Sequence, residues 1–183
     1  VVPDIITIGK PFGNGHPIGA VVCNEKIAKS FANGMEFFNT FGGNPVSCSI
    51  ANEVLKVVKK ERLQKNAKVV GTFFKKELKK LSKKYSIIGD IRGQGLFLGI
   101  EFIDSNMTPL PRESNYIINR LKEYGILSSL DGPNNNVIKI KPPLIFSKED
   151  CNNFIFYLHK ILKEDFLNKL KWRNVKYYLF FCC

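Results

Sequence analysis

The sequence has no Cys-x-x-Cys pair and no apolar run approaching the roughly 18 residues a membrane-spanning helix requires. Its five cysteines, Cys23, Cys48, Cys151, Cys182 and Cys183, are odd in number and irregularly spaced. That pattern argues against a disulfide scaffold or a structural zinc site and fits a reducing compartment. There is no zinc-finger spacing and no aromatic RNA-binding signature, so a net charge of +12 does not by itself make a nucleic-acid-binding protein. Internal repeats and low-complexity linkers are also missing. No signal- or transit-peptide pattern opens the chain, and it starts "VVPD" without Met on a strand-like run. The expectation is therefore a piece of a longer protein.

What is present is a globular composition, 44% hydrophobic and 24% charged over 183 residues, enough for one main domain or for one domain and part of another. The positive charge is concentrated rather than spread. Residues 53–84 carry eleven Lys, Arg62 and three Glu, a net +9. Within them Val54, Leu55, Val57, Val58, Leu63, Ala67, Val70, Phe73, Phe74, Leu78 and Leu81 recur at roughly helical spacing, which puts the lysines on the opposite, wet face. The final "KWRNVKYYLFFCC" is basic and then aromatic and breaks the preceding helical period, an atypical tail.

The pattern predicts a strand ending near Lys10, a glycine-rich loop, a strand at "IGAVVCN", a short helix at "EKIAKSFA" and a loop over 33–45. Pro45 then opens a helix to about residue 60, since the first helical turn needs no N–H from it. A second helix follows over 63–84, then strands at "SIIGDIRG" and "GLFLGIEFI" with a glycine turn between them. A helix over 113–123, strands at "GILSSL" and "NVIKIKP", and a helix over 147–163 complete the order. Ser147 followed by Asp150 is a capping-type start to the last helix. A domain boundary is expected near 60–70.

Three clusters carry chemistry. In "ITIGKPFGNGHP" Lys10 closes an apolar run ahead of a glycine-rich loop; at the end of a buried strand it would be desolvated and could form a Schiff base, and otherwise it is a solvated turn residue. In "FFNTFGGNPVSCSIA" Thr40, paired glycines and a helix start lie together. They fit either an anion loop or a tight turn with a capping threonine. In "GDIRGQGLFLGIEF" Arg92 stands between glycines at a hairpin turn. Its fork could hold a carboxylate or phosphate, or pair with Asp90 or a distant acid.

Together, "GKPFGNGHP", "FFNTFGGNPVSC", "GDIRGQGLFLGIEF" and "IKIKPPL" stand in one order over residues 1–163, and this resembles the C-terminal part of class III pyridoxal-phosphate aminotransferases of fold type I. "GHP", "LSSLDGP" and "NVIKIKPP" are similar to the branch of phospho-lyases acting on ethanolamine phosphate or 5-phosphohydroxy-L-lysine, described as alanine-glyoxylate aminotransferase 2-like. "FNTFGGNP" and "PLPRE" are similar to alanine-glyoxylate aminotransferase 2 itself.

The resemblance implies an α/β fold in a truncated chain: the end of a fold type I large domain over 1–64, a small C-terminal α+β domain over 65–165, and the atypical tail over 166–183. It implies pyridoxal 5'-phosphate as cofactor and no metal. Lys10 is then the catalytic lysine that carries the cofactor. Thr40 reaches the cofactor phosphate of the neighbouring subunit of a homodimer with shared active sites. Arg92 is then the arginine that receives the substrate α-carboxylate, a group that ethanolamine phosphate lacks. The substrate class implied is a small phosphorylated amine or amino acid, and His16 is expected to be a structural loop residue rather than a base. Neither nucleic acid nor membrane is an expected partner, and the compartment implied is the mitochondrion, with the cytoplasm as alternative.

The implied reaction is elimination of phosphate and ammonia, with transamination as one alternative and a non-catalytic basic binding fragment as another. The family's cofactor-ring aspartate, its stacking aromatic and its glycine-serine phosphate loop belong upstream of Val1. This chain alone is expected to be a poor catalyst or none.

Overall fold

The computed structural model describes residues 1–166, so the tail expected beyond them lies outside the described residues. The described residues divide into two compact units, Val1–Arg62 and, from Leu63 on, residues 63–166. In the first, β1 (Ile5–Ile8) pairs antiparallel with β2 (Ala20–Cys23), with Ile5 opposite Cys23 and Ile8 opposite Ala20. A 3-10 turn, Lys10–Gly13, lies between them. Helix α1 (Glu25–Phe31) starts on Asn24, whose side chain accepts from the Ile27 N–H and donates to Asp4. Helix α2 (Pro45–Lys60) begins with Pro45 after Asn44, whose side chain accepts from the Ser47 N–H at 2.9 Å. Only Ala51 of α2 is fully buried, so its apolar Leu55 and Val57 stand exposed.

Arg62 takes a left-handed φ of 54° between the end of α2 and the start of α3 (Leu63–Lys84). The second unit continues with β3 (Ile88–Gln94), β4 (Phe97–Phe102), α4 (Pro111–Glu123), β5 (Ser129–Asp131), β6 (Val137–Ile140) and α5 (Lys148–Ile161). Its sheet is antiparallel throughout in the order β3-β4-β6-β5. The period-2 alternation of β4 sends Leu98, Ile100 and Phe102 inward, where they join Ile91, Ile138 and the apolar faces of the three helices. Phe74, Leu78, Ile117, Leu121, Leu158 and Ile161 are fully buried there, each worth roughly 1.5–3 kcal/mol of apolar transfer. The lysines of α3 lie mostly on its exposed side, as the periodicity requires.

Ser147 and Asp150 form the capping box of α5: the Ser147 hydroxyl accepts from the Asp150 N–H, and the Asp150 carboxylate accepts from the Ser147 N–H at 2.8 Å. The Ser147 hydroxyl, which also donates to the Asp150 carboxylate at 2.7 Å, and then the Ser147 N–H hold the Asp150 carboxyl below the usual range. Three boundary differences from expectation have a clear local cause. Helix α4 starts at Pro111, because proline suits a first turn. The "GILSSL" strand is reduced to its end, β5. Gly125, at φ 78°, and Ile126 are taken up by the helix C-cap, their N–H groups donating to Lys122 and Leu121. Helix α5 stops at Ile161 and the next five residues widen into a π turn.

Helix α3 meets the β3–β4 turn at Gly71. A β-carbon built there would stand 2.0 Å from the Gly95 carbonyl oxygen, so the two backbones touch and only glycine fits. Gly71→Ala should therefore lower the unfolding free energy of the full-length protein by about 1–3 kcal/mol, whereas exposed Lys79→Ala should stay within about 0.5 kcal/mol. Urea denaturation measures both, and equal midpoints for the two variants would contradict the contact.

Candidate active site

Lys10 opens the 3-10 turn directly after β1 and Gly9, and it is exposed. The strand ahead of it is not the buried strand of the sequence argument. Ile5 and Ile6 are 53% and 45% exposed, because among the described residues this ribbon has only two strands. Burial of Lys10 is thus not supplied by its own unit. Its amine has no side-chain partner among the described residues, and the same holds for the Thr40 hydroxyl, which is exposed in the 39–44 loop. That loop is internally bonded. Asn39 Oδ1 accepts from the N–H groups of Phe41 and Gly42 at 3.1 and 2.8 Å, and the Asn44 N–H donates to the Phe41 carbonyl. The Thr40 side chain thus takes no part in capping α2, a task that falls to Asn44.

A hollow of about 510 Å³ lies between the two loops and α2, walled by Phe12, Asn39, Phe41, Gly43, Ser47 and Leu55 among others. His16 ties these parts together: its Nε2 and the Ser47 Oγ share a hydrogen bond of 2.7 Å, and Ser47 Oγ also accepts from the Asn44 amide at 3.0 Å. The histidine is thus a brace between the lysine loop and the first turn of α2.

Arg92 belongs to the second unit. It projects from the sheet face opposite the core, in register with Gly99 on β4 and, one strand further, Lys139 on β6. Both Asp90 and Glu101 engage one nitrogen of the fork, Nη1, Asp90 at 3.0 Å. The hydrogen bond to Glu101, then that to Asp90, raises an already high pKa, so the guanidinium is charged. The pairing with Asp90 that the sequence left open is thus present, and Glu101 joins it. A hollow of about 430 Å³ adjoins Arg92, lined also by Phe97, Gly99, Val137 and Lys139. Lys139 is itself paired with Asp131 at 2.6 Å.

Sequence reasoning passed over Glu101 and Asn136. The buried Asn136 side chain donates to the Phe102 carbonyl at 3.0 Å and to Glu101 Oε1 at 3.3 Å. The signal was available: folding "GDIRGQGLFLGIEF" about its Gln-Gly turn sets Glu101 across from Asp90, on the face of Arg92.

The His16 brace is testable by a double-mutant cycle. His16→Ala and Ser47→Ala should each lower the stability of the full-length protein by about 1 kcal/mol. The double variant should add no more than about 0.5 kcal/mol to the larger single effect. Fully additive losses in urea denaturation would contradict the coupling.

With this geometry established, comparison with known proteins gives a consistent result. The aminotransferase class-III profile matches residues 1–162. An alanine-glyoxylate aminotransferase 2-like protein of Drosophila melanogaster is 45% identical over 88% of this chain and 34% of its own length. Ethanolamine-phosphate phospho-lyase homolog 1 of Caenorhabditis elegans is 42% identical over 88% of the chain and 35% of its own length. The mitochondrial alanine-glyoxylate aminotransferase 2 of Homo sapiens is 41% identical over 83% of the chain and 30% of its own length. The chain thus spans about a third of the curated relatives it matches. Among solved structures, a phospholyase from Arthrobacter in complex with phosphoethanolamine superposes with a TM-score of 0.85 at 38% identity, covering 90% of this chain and 39% of that one. Acetylornithine aminotransferase from Elizabethkingia anophelis superposes at 0.77 with 32% identity, covering 90% and 42%. The mixed α/β architecture is that of these enzymes, and the chain belongs to the class III aminotransferase family.

Proposed function

We propose that the chain is part of a pyridoxal-phosphate-dependent phospho-lyase that eliminates phosphate and ammonia from a phosphorylated amine, ethanolamine phosphate or 5-phosphohydroxy-L-lysine. The observation that carries this reading is the likeness, at a TM-score of 0.85 and 38% identity, to a phospholyase in complex with phosphoethanolamine. The similarity to an ethanolamine-phosphate phospho-lyase homolog agrees with it. The mitochondrion is the proposed compartment, supported by the mitochondrial relatives from Homo sapiens and Arabidopsis thaliana. The proposed assembly is a homodimer in which Thr40 serves the neighbouring active site, and the chain alone is proposed to be inactive.

The residues present fit the cofactor. The Lys10 amine and the Thr40 hydroxyl, neither engaged by another side chain among the described residues, are respectively a nucleophile for an aldehyde and a hydrogen-bond donor for a phosphate group. Lys10 would hold the cofactor covalently, and Thr40 would donate its hydroxyl proton to a phosphate oxygen. When bound, pyridoxal phosphate supplies the electron sink for the carbon that bears the substrate nitrogen. Lys10, displaced by the substrate amine, would take the proton from that carbon at Nζ. Breaking the neighbouring C–O bond sends its electron pair out with the phosphate, and water completes the products: an aldehyde, ammonia and inorganic phosphate. Arg92 would orient the substrate through its anionic group.

A transaminase reading is favoured by the 41% identity to human alanine-glyoxylate aminotransferase 2. It shares the proton abstraction by Lys10 and differs in needing no leaving group. The full-length enzyme separates the two. With ethanolamine phosphate or 5-phosphohydroxy-L-lysine and no 2-oxo acid, phosphate, ammonia and aldehyde should appear in equal amounts. Brisk formation of glycine and pyruvate from alanine and glyoxylate, with no phosphate released from either phosphorylated amine, would replace the phospho-lyase assignment by the transaminase one.

A further inference from the structure

We infer that the lysine-lined groove along α3 is a docking surface for an extended acidic segment of a partner protein. Helix α3 carries eight Lys and one Glu. Six of these lysines, Lys68, Lys75, Lys76, Lys79, Lys80 and Lys83, line one hollow of about 1030 Å³ beside the β3–β4 turn, where Ala67 and the exposed Leu144 add apolar surface. Lys80 is paired with Glu77 at 2.7 Å, and Lys75 donates to the Gly93 carbonyl at 3.1 Å. The amines of Lys68, Lys76, Lys79 and Lys83 have no partner among the described residues.

A helix face that only meets water does not require this composition. Elsewhere the chain mixes signs on its helices: Lys29 pairs with Glu25 on α1, Lys56 with Glu53 on α2 and Arg120 with Glu123 on α4. On α3, Lys75, Lys79 and Lys83 stand four residues apart, as do Lys76 and Lys80, and like charges at that spacing oppose helix stability. An anionic partner lying among them relieves the repulsion. The spacing suits an extended chain, because residues four apart on a helix rise about 6 Å and alternate residues of a strand about 6.6 Å. Carboxylates at every second position thus meet Lys75, Lys79 and Lys83 in turn, and Gln64 and Gln94 in the same lining offer amides to a peptide backbone. Nucleic acid fits less well, since the lining holds no aromatic side chain to stack a base and no arginine fork for a phosphate. A membrane also fits less well, since the apolar face of α3, with Phe74, Leu78 and Leu81, is committed to the core.

Fluorescence anisotropy of the full-length protein with a labelled ten-residue peptide of alternating Glu and Ala tests the inference. Binding should be saturable at low ionic strength and weaken as salt is raised, because it is the sum of several exposed ion pairs. Lys76→Gln, Lys79→Gln and Lys83→Gln combined should weaken it about tenfold, with a urea midpoint no lower than that of the native protein, since like-charge repulsion is removed. Lys26→Gln, Lys60→Gln and Lys122→Gln combined remove the same charge from exposed positions outside the groove and should change binding by less than about twofold. Absence of saturable binding, or equal losses in the two triple variants, would overturn the inference. Displacement of the peptide by an oligothymidylate, or by vesicles of phosphatidylcholine and phosphatidylglycerol, at a lower concentration of negative charge than unlabelled peptide requires would overturn the assignment to an acidic protein segment.

Discussion

The backbone contact between Gly71 and Gly95 sets the geometry of the second unit. With 2.0 Å between a hypothetical β-carbon at residue 71 and the Gly95 oxygen, helix and hairpin turn can approach only because neither carries a side chain at the contact. One helical turn on, the Lys75 amine donates to the Gly93 carbonyl at 3.1 Å and holds the turn from the same side. The hairpin register follows from the placement of this turn, and the register puts Arg92 beside Glu101 and opposite Gly99. Packing on one face of the sheet thus fixes what the other face presents.

Such a division of labour also accounts for the charge. Eleven lysines between residues 53 and 84 dominate the net charge of +12, yet on α3 they sit opposite Val70, Phe74, Leu78 and Leu81, which are buried. The lysines solvate a helix whose other face is core. Under the proposed function, chemistry falls instead to cations outside that cluster: Lys10 behind a strand and glycine, and Arg92 between two acids.

Much of the fold is legible in the sequence, because the signals are local. Pro45 in the first turn of α2, the helical apolar period of α3, and the Ser147–Asp150 box each act over a few neighbouring residues. The shortened β5 was not legible, since the C-cap of α4 claims Gly125 and Ile126 through bonds that periodicity does not register. In the candidate site, local residues left each of Lys10, Thr40 and Arg92 with two readings, and the order of four motifs along the chain was needed to assign them roles. Glu101 and Asn136 were missed because their significance is a cross-strand relation, visible only once β3, β4 and the segment before β6 are aligned. The exposure of Lys10 depends on what surrounds the β1–β2 ribbon, which no local pattern encodes.

The central claim is that, of the many lysines in this chain, Lys10 alone carries the cofactor. Reducing the full-length protein with borohydride in the presence of pyridoxal phosphate and mapping the modified peptide tests it directly. The account predicts a single reduced adduct, on Lys10. An adduct on Lys75, Lys79 or another residue of the α3 cluster, with Lys10 unmodified, would contradict it.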